Sequence, residues 1–150
     1  MKEVTCPYCG RLATYVDSEV VYGRSYGMIY LCSPCDAYVG VHKRTNTPLG
    51  RLANAELRKW KKLAHAYFDP LWQFGRLKGR RGDAYKWLAE KMKLHISETH
   101  IGLFDVAQCQ QVVSIMENER KREDDTRNKR SDNRNTCQRV QVSCELHDNA

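Results

Sequence analysis

Two cysteine pairs of identical spacing limit what the N-terminal part of this chain can fold into. Cys6 and Cys9 form one Cys-x-x-Cys pair, and Cys32 and Cys35 form a second pair after 22 intervening residues. Structural Zn²⁺ takes four thiolates in a tetrahedron, and a two-residue spacing lets a tight turn aim both sulfurs at one ion. The intervening residues suffice for short strands that return the second turn beside the first. The sequence therefore predicts one structural Zn²⁺ ion held by these four thiolates.

Other uses of the cysteines explain the spacing less well. Thioredoxin-like redox chemistry needs a βαβ context around one pair, and neither pair has helical flanks. A disulfide framework suits secreted chains, and an odd total of seven cysteines cannot pair completely. His42 could replace one ligand, but the thiols already complete a tetrahedron. Since a closed four-sulfur site has no open position, we expect the ion to stabilise the fold and not to catalyse.

The residues beside the thiols fit two metal-binding turns. Gly10 directly follows the first pair and permits a positive φ there, and Asp36 occupies the equivalent position after the second pair. Three further candidates, Cys137, Cys144 and His147, lie in the tail and remain unassigned.

Composition divides the chain into three segments. Residues 1–47 alternate β-type runs with turn residues, and residues 48–116 have helical periodicity. Residues 117–150 extend the last helix and then lose periodicity, with no apolar residue in 117–136. We predict an α+β chain: a zinc-ribbon-like β-hairpin module, a basic helical domain of three to four helices, and a charged, mostly disordered tail. The predicted strands are Leu12–Val16, Glu19–Tyr22, Met28–Cys32 and Ala37–His42.

Capping residues place the helix starts. Asn54 is a predicted N-cap, Asp69 precedes a proline suited to a first helical position, and Asp105 forms a predicted capping box with Gln108. A further helix covers the sequence AYKWLAEKMK. The apolar residues predicted to face inward are Leu57, Trp60, Ala64, Tyr67, Leu71, Tyr85, Leu88, Met92, Cys109, Val112, Val113 and Met116.

The net charge of +7 is concentrated in the middle segment. Residues 1–47 carry 5 basic and 4 acidic side chains, residues 48–116 carry 12 and 6, and residues 117–150 carry 8 and 8. A clustered basic field is typical of proteins with a nucleic-acid partner, although a solvated helix face is the alternative. The predicted phosphate contacts are Lys43, Arg44, Arg58, Lys62, Arg76, Lys78, Arg80 and Arg81.

Aromatic residues in the first segment support a binding role. The tyrosines there exceed what a zinc ribbon buries, so some could stack on bases or face a protein partner. We therefore predict a zinc-stabilised, non-catalytic accessory protein that binds DNA or RNA. An adaptor or inhibitor that acts on a host nucleic-acid-processing or defence protein is the alternative. The six tyrosines are Tyr8, Tyr15, Tyr22, Tyr26, Tyr30 and Tyr38.

A metal-dependent nuclease is the second alternative. His65 and Asp69 are four residues apart on one helical face, and the sequence THIGLFD could bring His100 and Asp105 near them. Structural roles explain these residues better, since both aspartates stand where helix caps belong and no catalytic signature accompanies them.

The compartment follows from the thiols and the N-terminal residues. The start, MKEVTCPYCG, has no apolar leader region, and the apolar runs are far shorter than a bilayer requires. We expect a cytoplasmic protein with no membrane partner.

These motifs together resemble a known family. The stretches CPYCG, CSPCDAYVGVH, PLGRLANAELRKWKKLAHAYFDPLW and AYKWLAEKMKLHISETHIGLFD are similar, in order from Cys6 to Met116, to zinc-finger-containing domain proteins encoded mainly by phages and prophages. The resemblance implies a Cys₄ finger joined to a small helical domain, in a family of no established biochemical role, acting in a bacterial host cell. Family members often carry a cysteine where this chain has Thr99, which argues against a metal or redox role there.

Overall fold

The computed structural model describes residues 2–145 of the chain and the side chains of residues 2–134. The chain forms two compact units, one extending to Val113 and the other beginning at Ser114. The segments predicted at residues 1–47 and 48–116 therefore lie almost entirely within one unit, and the three-segment division itself stays a prediction. The predicted α+β fold is confirmed: an antiparallel sheet comes first and the longer helices follow it.

Three short strands form the sheet. They pair in the order β1–β2–β3, and both pairings are antiparallel. Opposite residues of paired strands share a face, so Tyr15, Tyr30 and Val39 lie on one face while Thr14 and Leu31 lie on the other. The strands are β1 (Thr14–Asp17), β2 (Met28–Cys32) and β3 (Ala37–Gly40).

One predicted strand is wrong. Glu19–Tyr22 is a single turn of helix, α1, although its composition is typical of a strand. Asp17 Oδ1 accepts from the Glu19 backbone N–H at 2.8 Å, and the Ser18 carbonyl accepts from the Tyr22 backbone N–H at 3.0 Å. Gly23 then ends the turn at a φ of +69°. Local hydrogen bonds from an Asp-Ser pair thus override the β propensity of the valines.

Most helix starts follow the predicted signals, but Asp69, predicted to stand at a helix cap, makes no side-chain capping bond. Asn54 Oδ1 caps the first long helix by accepting from the Leu57 N–H at 3.0 Å, and a proline begins the next one. Asp105 and Gln108 form the predicted capping box with bonds of 2.9 and 3.1 Å. The helices are α2 (Ala55–Phe68), α3 (Pro70–Gln73), α4 (Arg81–Met92) and α5 (Val106–Glu145), with 3₁₀ turns at Ile96–Glu98 and Ile101–Leu103.

The inward face of α2 is shifted from the predicted one. Leu57 and Ala64 are buried as expected, whereas Trp60 and Tyr67 are only half-buried. Phe68, which the apolar spacing did not select, is completely buried. The core of the helical part is formed by Leu57, Ala64, Phe68, Leu71, Ala84, Tyr85, Leu88, Ala89, Met92, Ile101, Phe104, Cys109 and Val112.

The linker after β3 joins the sheet to the helices. Tyr38 and Ala53 exchange backbone hydrogen bonds of 3.2 and 3.0 Å, which adds a bridge beside β3. The Arg51 N–H donates to the Gly102 carbonyl at 3.0 Å. A Cβ on Gly50 would overlap that same carbonyl oxygen, so only glycine permits this approach of the two backbones. Sheet and helices are thus tied through main-chain contacts.

The described part of the second unit is helical and consists of the later part of α5. The part of α5 beyond Ser114 continues to Glu145. All side chains of residues 120–134 are exposed, and Arg122 pairs with Glu119 at 3.2 Å, one helical turn away. The three unassigned tail candidates lie outside the described side chains.

Candidate metal centre and adjoining groove

Four cysteine sulfurs meet at one point beside the sheet. The Sγ atoms of Cys6, Cys9, Cys32 and Cys35 all lie within 4.8 Å of one another, and the sulfurs of Cys9 and Cys32 are 3.6 Å apart. Zn–S bonds of about 2.3 Å place the sulfurs of a regular tetrahedron about 3.8 Å apart. The cluster has the dimensions of a four-thiolate zinc site, and it could hold one zinc ion, as predicted.

Two tight turns, each followed by a residue of positive φ, present the thiols. Gly10 follows the first pair with a φ of +75°, and Asp36 follows the second pair with a φ of +48°. The Gly10 N–H donates to the Cys6 carbonyl at 2.9 Å, and the Asp36 N–H donates to the Ser33 carbonyl at 3.1 Å. Both positions therefore adopt the left-handed geometry expected just after a metal-binding pair.

The sulfurs sit at the edge of a small apolar core. Cys6 and Cys32 are buried, Cys35 is half-buried and Cys9 is exposed. Two of the cysteines are thus fixed in the core, while Cys9 faces solvent. The buried residues of this core are Cys6, Tyr30, Cys32, Ala37 and Leu52.

The thiols influence one another's protonation. A hydrogen bond from the Arg11 backbone, opposed by burial and assisted by the other thiols of the cluster, lowers the pKa of Cys9 to about 7. The bond to Cys9, burial and the neighbouring thiols raise the pKa of Cys35 to about 12. A metal ion must displace the protons that remain on the cluster, so ion uptake releases protons and weakens as pH falls.

A groove of about 760 Å³ runs along the sheet, the linker and the start of α2. Among the described residues that line it there are five cationic side chains and no carboxylate. The local field in the groove is therefore positive. Its cations are Lys43, Arg44, Arg51, Arg58 and Lys61.

Three tyrosines that line this groove form a continuous row, called here the tyrosine row. The rings of Tyr22 and Tyr26 meet edge to face at 5.7 Å, and those of Tyr22 and Tyr38 meet edge to face at 5.8 Å. Arginines stand at both ends: the Arg24 guanidinium lies 5.8 Å from the Tyr26 ring centroid, and that of Arg58 lies 4.3 Å from the Tyr38 centroid. A series of three aromatic rings is thus flanked by a cation at each end.

The cations of the groove differ in their engagement. Lys61 Nζ donates to the carbonyls of Arg51 and Gly102 at 3.2 and 2.7 Å, and burial lowers its pKa. Lys43 and Arg44 are exposed, and neither side chain makes an ion pair with the part of the chain that the structure describes. These two are the groove cations most available to an incoming anion.

Arg58 connects the groove to the metal centre. Its guanidinium donates to the Asp36 carbonyl at 2.6 Å and to the Asp36 carboxylate at 3.0 Å, directly after the last cysteine ligand. It also donates to the Ala53 carbonyl at 2.8 Å. These bonds hold the guanidinium against the Tyr38 ring.

Three of the predicted phosphate contacts line the groove: Lys43, Arg44 and Arg58. The other five, Lys62, Arg76, Lys78, Arg80 and Arg81, are not among the residues that line it. Two of them stack elsewhere, with Arg76 over the Trp87 ring at 5.1 Å and Arg81 over the Trp72 ring at 5.4 Å. The assignment of all eight as nucleic-acid contacts stays a prediction.

Arg51 and Lys61 line the groove although they were not selected from the sequence. The signal available was only their charge in the basic segment. Their position in the groove depends on the backbone bridge between Tyr38 and Ala53, which no local pattern indicates.

The nuclease candidates have structural partners. His65 Nδ1 lies 3.1 Å from the Asp69 carboxylate, which also accepts from the Trp72 indole N–H at 3.2 Å. His100 stacks on an aromatic ring at 5.2 Å, and Asp105 caps α5. Within residues 2–134, the four cysteines are the only group of three or more histidine, cysteine, aspartate or glutamate side chains close enough to share a metal ion.

The fold and the thiol cluster define a zinc-finger class of protein. A family model of a zinc-finger-containing domain matches residues 2–119, and the chain belongs to this family. The match includes all four cysteines, the groove and the start of α5. No curated protein and no solved structure matches the chain. Among the described residues, no helix has both the length and the apolar character needed to cross a membrane.

Proposed function

We propose that the protein is a zinc-stabilised accessory protein that binds nucleic acid through the basic groove. The observation that carries the proposal is the lining of the groove: five cations, three tyrosines in a row and no carboxylate. Phosphate contacts with lysine and arginine supply affinity for any sequence. The role of the zinc ion is structural. It stabilises the strands that line the groove and the turn at Asp36, to which Arg58 donates.

The surroundings of Lys43 and Arg44 support the proposal in addition to the net charge of the chain. Some surface cations of this chain stand beside carboxylates, as Arg80 does beside Asp83 at 2.7 Å. Lys43 and Arg44 do not, and they lie in the one described groove that also contains the tyrosine row. A polyanion that enters the groove therefore meets no like charge on its lining.

The proposal includes a cellular setting. A cytoplasm keeps thiols reduced and so keeps a Cys₄ site able to bind metal. We place the protein in the cytoplasm of a bacterial host cell, encoded by a phage or prophage, as the family resemblance implies.

Fluorescence anisotropy with labelled DNA and RNA, single-stranded and duplex, over a salt series tests the proposal. We expect affinity to fall steeply with salt, because each neutralised phosphate releases counterions. The double substitution Lys43→Gln and Arg44→Asn should weaken binding at low salt and flatten the salt dependence. The Asn at position 44 suits the positive φ of 61° found there.

The matched control removes the same charge outside the groove. Lys59 and Lys86 are exposed and do not line it, so Lys59→Gln with Lys86→Gln should leave affinity nearly unchanged. Equal losses in the two double variants would reduce the effect to net charge and contradict the groove as the site. Failure of every nucleic acid to bind at low salt would end the proposal. A stoichiometric protein partner that survives nuclease treatment would then favour the adaptor, and Mg²⁺-dependent cleavage lost in His65→Ala would favour the nuclease.

A further inference from the structure

We infer that the groove takes single-stranded nucleic acid, with bases stacked on the tyrosine row and the backbone along Lys43 and Arg44. This inference rests on the proposed function and names its substrate class. It depends on three observations: the exposure of the tyrosines, the rigidity of the loop that carries them, and the position of the cations in the same groove.

The tyrosines of the row present ring surface to solvent. Tyr26 is 72% exposed and Tyr22 is 54% exposed. Stacking on a base uses the face of an aromatic ring and tolerates any sequence. In a duplex the base faces are covered by neighbouring bases, so only unpaired bases can use these rings.

The loop between β1 and β2 holds the rings in place before any ligand arrives. Ser18 is buried, and its Oγ accepts from the Tyr26 backbone N–H at 2.7 Å. The Ser18 N–H donates to the Gly27 carbonyl at 2.9 Å, and Asp17 Oδ2 accepts from the Ser25 hydroxyl at 2.9 Å. A loop that is already ordered loses little conformational entropy on binding, which suits a stacking platform.

The tyrosine row is also fixed at its inner end. Tyr38 lies in β3, and Arg58 covers one face of its ring while donating to three main-chain and carboxylate oxygens. Tyr22 lies in the middle of the row and meets Tyr26, the other end, edge to face. The two exposed tyrosines, Tyr22 and Tyr26, are therefore the ones available to bases.

The cations stand where a backbone can follow the stacked bases. Lys43 and Arg44 lie in the turn that follows β3, and the Thr45 N–H closes this turn on the His42 carbonyl at 3.1 Å. Both residues line the same groove as the tyrosine row. Proteins that bind single strands without sequence preference combine these two elements, a cationic groove and aromatic platforms.

The test compares a single-stranded 20-mer of DNA, the same sequence as RNA, and the DNA duplex, by fluorescence anisotropy with the zinc-loaded full-length protein. We expect at least one of the single strands to bind more tightly than the duplex. Tyr26→Ala should weaken single-strand binding by roughly 5- to 150-fold, the loss of one base stack. It should leave the slope of log affinity against log salt unchanged, whereas Lys43→Gln should reduce that slope by about 0.7.

Two variants serve as controls. Tyr26→Phe keeps the aromatic face and should bind like the unchanged protein. Phe74→Ala removes an aromatic side chain that is 71% exposed but does not line the groove, so it should also bind normally. Circular dichroism and zinc content of each variant establish that the fold is intact.

The outcomes separate this inference from the proposed function. If the duplex binds as tightly as both single strands, or if Tyr26→Ala and Tyr22→Ala bind normally while Lys43→Gln does not, the single-strand inference is overturned and the proposed function stands. If none of the three nucleic acids binds at low salt, both fall. Tighter binding of DNA than RNA, or the reverse, supports the inference and identifies the preferred sugar.

Discussion

The sheet module and the helical part belong to one compact unit but are stabilised by different means. The module, residues 2–47, contributes four of the five residues of its core, and two of these are cysteine ligands. The helical part buries Phe68, Phe104 and Leu88 completely. A core as small as that of the module cannot offset the conformational entropy of its strands without the metal. The helical part has enough apolar contact to fold by ordinary packing. Loss of the metal or of a core side chain should therefore change the stability of the two regions to different extents.

The largest difference is expected when the metal site is broken. Cys32→Ser removes a thiolate from the buried side of the cluster, and structural zinc in small fingers contributes about 10–16 kcal/mol of apparent binding free energy at neutral pH. We expect zinc stoichiometry to fall from one towards zero and the module to unfold, while most of the helical circular dichroism remains. Elemental analysis measures the zinc content, near-ultraviolet circular dichroism the packing of the aromatic side chains, and far-ultraviolet circular dichroism the remaining helix.

Cys109→Ala is the matched control for this experiment. Cys109 is also a buried free thiol, but it lies on α5 and outside the cluster. It should keep one zinc ion per chain. Full zinc content in Cys32→Ser would contradict the four-thiolate site.

The reverse experiment removes a side chain from the helical core. Phe68→Ala empties a completely buried site whose ring lies 4.8 Å from that of Tyr85, and such substitutions cost about 3–5 kcal/mol. Tryptophan fluorescence reports this region selectively, because all three tryptophans, Trp60, Trp72 and Trp87, lie in it. We expect a lower denaturation midpoint with zinc stoichiometry still at one. Loss of zinc in native conditions would show that the module depends on the helices and not on its metal alone.

The comparison also explains which features could be predicted from the sequence. The metal turns, the Asn54 cap and the Asp105–Gln108 box depend on a few adjacent residues, so their local patterns sufficed. Glu19–Tyr22 was wrongly predicted to be a strand. Its conformation is determined by the hydrogen bond that the Asp17 side chain accepts, and not by its composition. Short apolar stripes tolerate a one-residue rotation, which is how Phe68 was missed.

The groove depends on tertiary contacts and for that reason was only partly predicted. Lys43 and Arg44 were selected by charge alone, and Arg51 was not selected at all. The bridge that brings Ala53 beside Tyr38 determines the groove, and it joins residues 15 positions apart in the chain. Neither propensity nor periodicity contains that information.

The junction between the two regions can be tested with a single methyl group. Gly50→Ala would place a Cβ against the Gly102 carbonyl, which already accepts from the Arg51 N–H and from Lys61 Nζ. Because both partners are backbone, the clash is relieved only by moving the linker, at about 1–3 kcal/mol. We expect a smaller drop in the tryptophan-monitored midpoint than for Phe68→Ala. Gly82→Ala is the control, since a Cβ there meets nothing within 4 Å. A normal midpoint for Gly50→Ala would contradict the close approach of the two backbones.

The smallest expected effect is a pH dependence that belongs to the helical part alone. Burial lowers the pKa of His100, and nearby positive groups lower it further. A histidine whose folded pKa is depressed contributes stability that is complete above its unfolded value of about 6.5, and this contribution is lost as pH falls below that value. We expect the unchanged protein to lose more stability between pH 7.5 and pH 5.5 than His100→Asn, whose amide oxygen can still accept from the Gly102 N–H as Nδ1 does. Tryptophan-monitored denaturation of both proteins at both pH values gives a double difference, which cancels the acid weakening of the zinc site that they share. Equal losses in the two proteins would show that His100 does not contribute to the acid sensitivity. The groups that face His100 electrostatically are Arg81, His65, His42 and Lys61.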